Sequence, residues 1–303
     1  MKNIGNTCYV NSVLQCLFRL TSLNDVLDRV VVQNDTPERN FFHQFNDLRR
    51  LCLQGVQNGN SCLVAPNLFR QAVQTVASHK KQHEFCGREQ NDAAEFMQFV
   101  LNVLHEAMAT AVDFDGVDLE DPIALQCRET MKRLFSKECS DIIMLFYGMQ
   151  LSTVGTSRTA EPFLFVDLPI PAGATRLEQC LAAYTAEEAL DGWVNEATGK
   201  VEPATKTVRF WRVPPNLILV LKRFGADGRK IGTHVELPPK LACNNDEYTL
   251  QCVCAHQGSS LRSGHYVAKC QMADGGWAQI DDDVITPCSD VSRDAYMAIY
   301  CIA

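Results

Sequence analysis

The chain has no apolar run approaching the roughly 20 residues that a membrane-spanning helix requires, so no membrane partner is expected. Its start, Met1-Lys2-Asn3-Ile4-Gly5-Asn6, lacks the apolar core of a secretory signal. No basic stripe accompanies the formal net charge of -8, which argues against nucleic acid as a partner. An acidic surface suits a basic partner, but solubility alone is the more usual reason for it, since net charge names no partner. No internal repeat and no low-complexity tract is present, so disorder is not expected over most of the chain. Cysteine is plentiful, at 14 residues, yet no two are spaced as C-x-x-C. A zinc ribbon therefore has no support, and no metal or other cofactor is expected. Without a secretory signal, reduced thiols are the better reading than disulfides, and a cytoplasmic or nuclear location follows as an expectation.

Hydrophobic residues make up 46% of the 303 positions and charged residues 21%, the balance of an ordinary globular protein. That length supports one large core or two to three packed subdomains. The first third reads as helical. Val10, Val13, Leu14, Leu17 and Phe18 follow helical spacing after Cys8. Phe41, Phe45, Leu48 and Leu51 suggest a second helix, and residues 67–78 another. A clear helix covers about Asp92 to Met108, with Asp92 and Glu95 spaced as a capping box. His79 and His83 are also spaced to share a helix face, but no third ligand accompanies them.

The second half changes period. Leu217 to Leu221 is a short apolar run after Pro214-Pro215, which favours a buried strand. Strands are expected at Tyr248 to Ala255, Tyr266 to Gln271, Trp277 to Ile280 and Ala295 to Ile302. Gly258-Ser259-Ser260 and Asp274-Gly275-Gly276 read as the turns between them. Cys252 and Cys254 would share one face of their strand as small hydrophobes. Sequential strands with short connections imply an antiparallel sheet, and helices followed by strands imply the α+β class. Windows 109–126 and 171–206 are the least patterned and the expected place for flexible insertions.

Three residues carry candidate chemistry. Cys8 sits just ahead of a helix, where the macrodipole and free N–H groups stabilise a thiolate, the nucleophilic form. Gly5 permits close approach of a substrate, and Asn3 could add an amide donor to an oxyanion hole formed by backbone N–H groups. His265, in Ser263-Gly264-His265-Tyr266, stands at the mouth of a strand and could serve as the base. Asp281 lies on a neighbouring predicted strand, where a carboxylate would hold the imidazole in one tautomer. Asp282 and Asp283 follow it directly. Chemistry alone leaves open which of the three orients His265.

Together these segments resemble the ubiquitin-specific protease family, over nearly the whole chain. The stretch Lys2-Asn3-Ile4-Gly5-Asn6-Thr7-Cys8-Tyr9-Val10-Asn11-Ser12-Val13-Leu14-Gln15 is close to the family's cysteine box. Glu89-Gln90-Asn91-Asp92-Ala93-Ala94-Glu95-Phe96 is similar to its Gln-Gln-Asp helix start, with Asn91 in place of the second Gln. Leu217 through Lys222-Arg223-Phe224 resembles the strand ending in Lys-Arg-Phe, and Gly264-His265-Tyr266 with Trp277 and Asp281-Asp282 resembles the histidine box.

The resemblance implies a papain-like α+β catalytic domain spanning 1–303, built like an open hand. The helical thumb would occupy about 1–135; an antiparallel palm and extended fingers would occupy about 136–303. It implies a deubiquitinating cysteine protease acting as a monomer on ubiquitin and ubiquitinated proteins. Cys8 would be the nucleophile, His265 the base and Asp281 the orienting acid. Asn3 matches the oxyanion-hole position, with Asp282 assisting there or orienting His265. Asp92 and Glu95 would pair with basic residues of the ubiquitin tail, and Phe224 and Tyr266 would wall it. A non-catalytic ubiquitin binder and an enzyme for a ubiquitin-like modifier are the competing readings.

Two departures from the family pattern stand out. Many members carry two C-x-x-C pairs in the fingers; Val154-Gly155-Thr156-Ser157 and Gly192 to Gly199, the corresponding stretches, contain no cysteine. The fingers are therefore expected to be short or held by packing alone, without zinc. Cys8 also lies very near the start of the sequence, which suits either an excised domain or a trimmed enzyme.

Overall fold

The computed structural model describes residues 1–57, 64–114, 121–195, 198–225, 229–260 and 263–302. Helices come first: α1 (Cys8–Leu17), α2 (Thr21–Arg29), α3 (Pro37–Gln57), α4 (Asn67–His79), α5 (Ala93–Met108), α6 (Pro122–Phe135) and α7 (Asp141–Phe146). Their core is aromatic. Phe41, Phe45, Phe69 and Phe99 meet at centroid distances of 5.0 to 6.4 Å. Tyr9 packs edge-on against Phe96 at 5.2 Å, joining α1 to α5. Such a pair contributes about 0.5–1.5 kcal/mol beyond its area burial.

The periodicity of α1 reads as amphipathic, but all 10 of its residues are buried, including Asn11, Ser12 and Gln15. The helix is enclosed by α5 on one side and by the sheet, through β9 (Ser263–Gln271), on the other. Its polar residues are spent on contacts inside the protein rather than on solvent.

The strands form two sheets. One has four strands in the order β2 (Ser157–Phe163), β1 (Gly148–Val154), β5 (Lys200–Arg212), β4 (Glu188–Asn195), all antiparallel. The other has eight. Its path runs β11 (Val284–Pro287), β10 (Trp277–Asp281), β9, β8 (Asp246–Ser260), β12 (Ala295–Ile302), β6 (Asn216–Leu221), β3 (Phe165–Leu168), with β7 (Lys240–Cys243) pairing β8. It is antiparallel apart from β3 against β6.

Both faces of the large sheet are covered, which explains the unbroken apolar run in β6. Ile218 and Val220 join the helical core, while Leu217, Leu219 and Leu221 join a second core that includes Leu177 and Cys180 of helix α8 (Leu177–Thr185). Cys252 and Cys254 face the helices together, as their spacing predicts, and Val253 faces away. No disulfide joins the described cysteines. Among the described residues, no helix is long and apolar enough to cross a membrane.

Three sequence expectations need correction. Gly258-Ser259-Ser260 is not a turn: the three residues extend β8, with a register irregularity between Gln257 and Ser260. Gly258 takes a φ of +144°, which glycine tolerates, and this lets the strand continue past the irregularity. The described part of window 171–206 forms α8, β4 and most of β5; of window 109–126, residues 115–120 lie outside the described residues and 122–126 begin α6. Its weak pattern reflects exposed strands with little to bury. His79 closes α4 while His83 opens a separate short 3-10 turn, so they share no helix face; His79 lies 3.5 Å from Glu38 instead.

The four-stranded sheet occupies the place expected of the fingers. Trp193 of β4 lies over Gly155, 3.1 Å from where a side chain at that position would begin. Asn195 Nδ2 donates to Glu202 Oε1 across the β4–β5 pair at 2.5 Å. At its base, Cys127 of α6 packs with Met149 and Ala160. Glu196 and Ala197 lie outside the described residues.

Candidate active site

Cys8 is the first residue of α1 and is 2% exposed. No side chain caps this helix. The Thr7 hydroxyl is occupied elsewhere: it accepts from the Ile4 N–H at 3.1 Å and donates to Asn3 Oδ1 at 3.2 Å. The first-turn amides of α1 therefore keep their positive field at the sulfur. The preceding turn is left-handed at Gly5 (φ +110°) and Asn6 (φ +50°). Nothing lies within 4 Å of a side chain built at Gly5. The backbone angle, rather than crowding, demands glycine there.

His265 stands on β9 and Asp281 ends β10, adjacent antiparallel strands. His265 Nε2 lies 2.6 Å from Asp281 Oδ1. The influence of the Cys8 sulfur comes first among the causes that raise the His265 pKa to about 9. Burial opposes the shift, and the Asp281 hydrogen bond adds to it. Negative charge on Asp281, and on the Cys8 sulfur as thiolate, favours the imidazolium.

Asp282 has a different task. It occupies the turn between β10 and β11 at φ +52°, which aspartate tolerates better than most residues. Its Oδ2 accepts from Asn3 Nδ2 at 2.9 Å and its Oδ1 from Asn11 Nδ2 at 2.7 Å, while His265 Nε2 is 4.0 Å away. Its side chain is 12% exposed, against 41% for Asp281. Asn3 is held at both ends. Its Oδ1 accepts from the N–H groups of Gly5 at 3.0 Å and Thr7 at 3.2 Å.

A cleft of about 810 Å³ includes Asn6, Glu89, Asp92, Glu95, Phe224 and Tyr296 in its lining. Asp92 caps α5: its Oδ1 accepts from the N–H groups of Ala94 at 2.7 Å and Glu95 at 3.1 Å. Its Oδ2 accepts from the Tyr296 hydroxyl at 2.7 Å and the Tyr266 hydroxyl at 3.5 Å. Glu95 faces the cleft, and burial with the neighbouring Asp92 and Glu84 raises its carboxyl pKa.

Tyr266 departs from its expected place. It is 4% exposed and lies outside the cleft lining, beside Tyr296, which takes the wall position. Alternation along β9 accounts for this: His265 points toward β10's carboxylate, so its neighbour faces the helical core.

Four residues of the site carried no role in the sequence reading. Tyr296 sits in an apolar strand where nothing distinguishes it. Gln90 Nε2 donates to the Gly264 carbonyl at 3.0 Å, tying the approach to α5 to the residue before His265. Asn11 lies within the cysteine box, yet its bond to Asp282 depends on a turn 271 residues away. His256, 1% exposed, packs between Phe224 at 5.2 Å and Tyr266 at 4.8 Å. Burial, with Lys230 nearby, lowers its pKa to about 4, so it is neutral at physiological pH.

Comparison with known proteins agrees with this geometry. A model of the ubiquitin carboxyl-terminal hydrolase family matches residues 1–300. Ubiquitin carboxyl-terminal hydrolase Usp2 of Drosophila melanogaster is 28% identical over 331 aligned positions, covering 99% of this chain and 34% of the relative. Ubiquitin carboxyl-terminal hydrolase 2 of Homo sapiens is 27% identical, covering 100% of this chain and 55% of the relative. The chain thus spans between about a third and about half of these relatives' length. Among solved structures, a SAGA DUB module of Ubp8, Sgf11, Sus1 and Sgf73 bound to monoubiquitin aligns with a TM-score of 0.76 at 23% identity. That alignment covers 100% of this chain and 68% of the other, and a second such module is bound to ubiquitin aldehyde. The likeness shows that this chain shares the fold of those structures. The chain belongs to the ubiquitin carboxyl-terminal hydrolase family.

Proposed function

We propose that this chain is the catalytic domain of a deubiquitinating cysteine protease, acting as a monomer on ubiquitin and ubiquitinated proteins. One observation carries the reading: Cys8 begins a helix with no side-chain cap, its sulfur leads the causes that raise the His265 pKa, and His265 is held by Asp281 at 2.6 Å. A buried thiol without such partners would be inert.

In the proposed reaction the Cys8 thiolate attacks the carbonyl carbon of the terminal glycine. The oxyanion forms beside the first-turn amides of α1 and the Asn3 carboxamide, which Asp282 keeps in place. The His265 imidazolium gives its proton to the leaving amine, and the thioester bond forms as the isopeptide or peptide bond breaks. His265 then takes a proton from water, whose oxygen attacks the thioester and frees both the carboxylate and Cys8. Asp281 keeps the ring oriented throughout.

The cleft supports ubiquitin as the substrate. Burial and the neighbouring Asp92 raise the proton affinity of Glu95, a cost that a cationic tail would relieve. Phe224 and Tyr296 supply apolar walls. Relatives named ubiquitin carboxyl-terminal hydrolases support the same reading. The free thiols suit a reducing compartment, in keeping with a cytoplasmic or nuclear location.

Hydrolysis of a fluorogenic reporter fused to the ubiquitin C-terminus tests the proposal. Turnover by the parent and background rates for Cys8→Ala are expected. Equal turnover by the two proteins would contradict it.

A further inference from the structure

A second group of thiols lies behind the candidate active site. Cys16 of α1, Cys252 of β8 and Cys270 of β9 are each 0% exposed, and their three sulfurs lie within 4.8 Å of one another. Cys252 and Cys270 are directly opposite across the β8–β9 pair. Cys16 reaches them from the helix packed on that face. The Cys252 thiol donates to the Cys16 carbonyl at 3.5 Å and the Cys270 thiol to the Gln15 carbonyl at 3.8 Å. Single buried cysteines are ordinary core filler. Three that converge from three elements form a soft donor set.

The geometry selects among ions. A metal–thiolate bond of about 2.3 Å in a trigonal plane separates the sulfurs by about 4.0 Å, inside the observed spread. A closed tetrahedral site needs a fourth ligand. Among the described residues, the group offers three sulfurs and no fourth Cys, His, Asp or Glu side chain. Thiolates favour soft ions, which points to copper in its monovalent state rather than to zinc. Charge agrees. Arg19, anchored on the Gln15 carbonyl at 3.1 Å, acts electrostatically on both Cys252 and Cys270. Cu(I) with two thiolates carries one negative charge, which that guanidinium offsets.

We propose that Cys16, Cys252 and Cys270 form a buried trigonal site for one Cu(I) ion. On binding, two S–H bonds break and their protons leave to solvent as two Cu–S bonds form. The third sulfur donates a lone pair. No electron is transferred. The bound ion ties α1, which carries Cys8, to β8 and to β9, which carries His265.

The test uses the Cys8→Ala chain, so that the active-site thiol cannot hold copper. It is loaded anaerobically with Cu(I), once folded and once during refolding, then challenged with bicinchoninate and desalted. One retained copper per chain is expected, with X-ray absorption showing three sulfur neighbours and a thermal transition shifted upward. Adding Cys16→Ala or Cys252→Ala is expected to lower retention at least tenfold. No retained copper under either loading overturns the proposal, as does full retention by both added variants. If those variants fail to fold, the sulfur count decides, and fewer than three overturns it.

Discussion

His265 Nε2 lies 2.6 Å from Asp281 Oδ1 but 4.0 Å from Asp282 Oδ2, so two successive acids in one hairpin hold two different partners. Asp281 grips the imidazole; Asp282 grips Asn3 and Asn11. Asp281→Asn is expected to lower kcat by about 10- to 100-fold, the scale of a charged hydrogen bond worth about 1.5–3 kcal/mol. Asp282→Asn is expected to lower kcat while leaving the pH profile in place. Steady-state kinetics on the ubiquitin reporter check both. A shift of the profile by Asp282→Asn alone would reverse the assignment.

The raised pKa of His265 sets the alkaline limit. The ring stays charged beyond the ordinary value of 6.5 and releases its proton near pH 9. kcat/KM is therefore expected to hold past neutrality and fall through about pH 9, with Asp281→Asn moving that limb downward. Stability follows the same sign. Because the folded value is raised, the contribution of His265 is full below pH 6.5 and fades as pH climbs through about 9. Urea midpoints of the parent and His265→Gln should differ most at the acid end of that window and converge above it.

Gly264 is constrained by its neighbour. A side chain there would begin 2.3 Å from His256 Nε2 and 2.7 Å from the Gln257 carbonyl. Gly264→Ala is expected to destabilise the fold by about 1–3 kcal/mol through overpacking. It should also cut activity at least tenfold by displacing His265. His256→Ala in the same chain is expected to restore part of both, read from melting and kinetics. Strictly additive losses would contradict this coupling.

Asp92 combines a cap with a cleft charge. Asparagine caps helices as well as aspartate does, so Asp92→Asn should melt close to the parent. Its KM for the ubiquitin reporter is expected to rise severalfold, with the difference shrinking as salt screens the pair. Asp92→Ala should lose about 1 kcal/mol of stability in addition. An unchanged KM in Asp92→Asn would leave capping as its whole task.

The site residues were legible where the chemistry needs a residue type at a special place. Cys8 before a helix and His265 in a glycine-flanked strand mouth are such places. The apolar run of β6 showed burial, but not that both faces are covered by separate cores. Asp281 and Asp282 are chemically identical in sequence, and only the positive φ at Asp282 turns its carboxylate toward Asn3. Tyr296, rather than Tyr266, lines the cleft for a similar reason: alternation along a strand fixes sidedness only once one residue's facing is known. The Cys16, Cys252 and Cys270 group spans almost the whole chain and has no local spacing to betray it. Strands β4 and β5 went unseen because they bury little, so no period marks them.

The most direct test of the account is reaction with ubiquitin bearing a C-terminal electrophile, followed by intact mass, with Cys8→Ala alongside. One ubiquitin added to the parent and none to Cys8→Ala is the expected result. A folded parent that forms no adduct, or a Cys8→Ala protein that still forms one, would contradict the account.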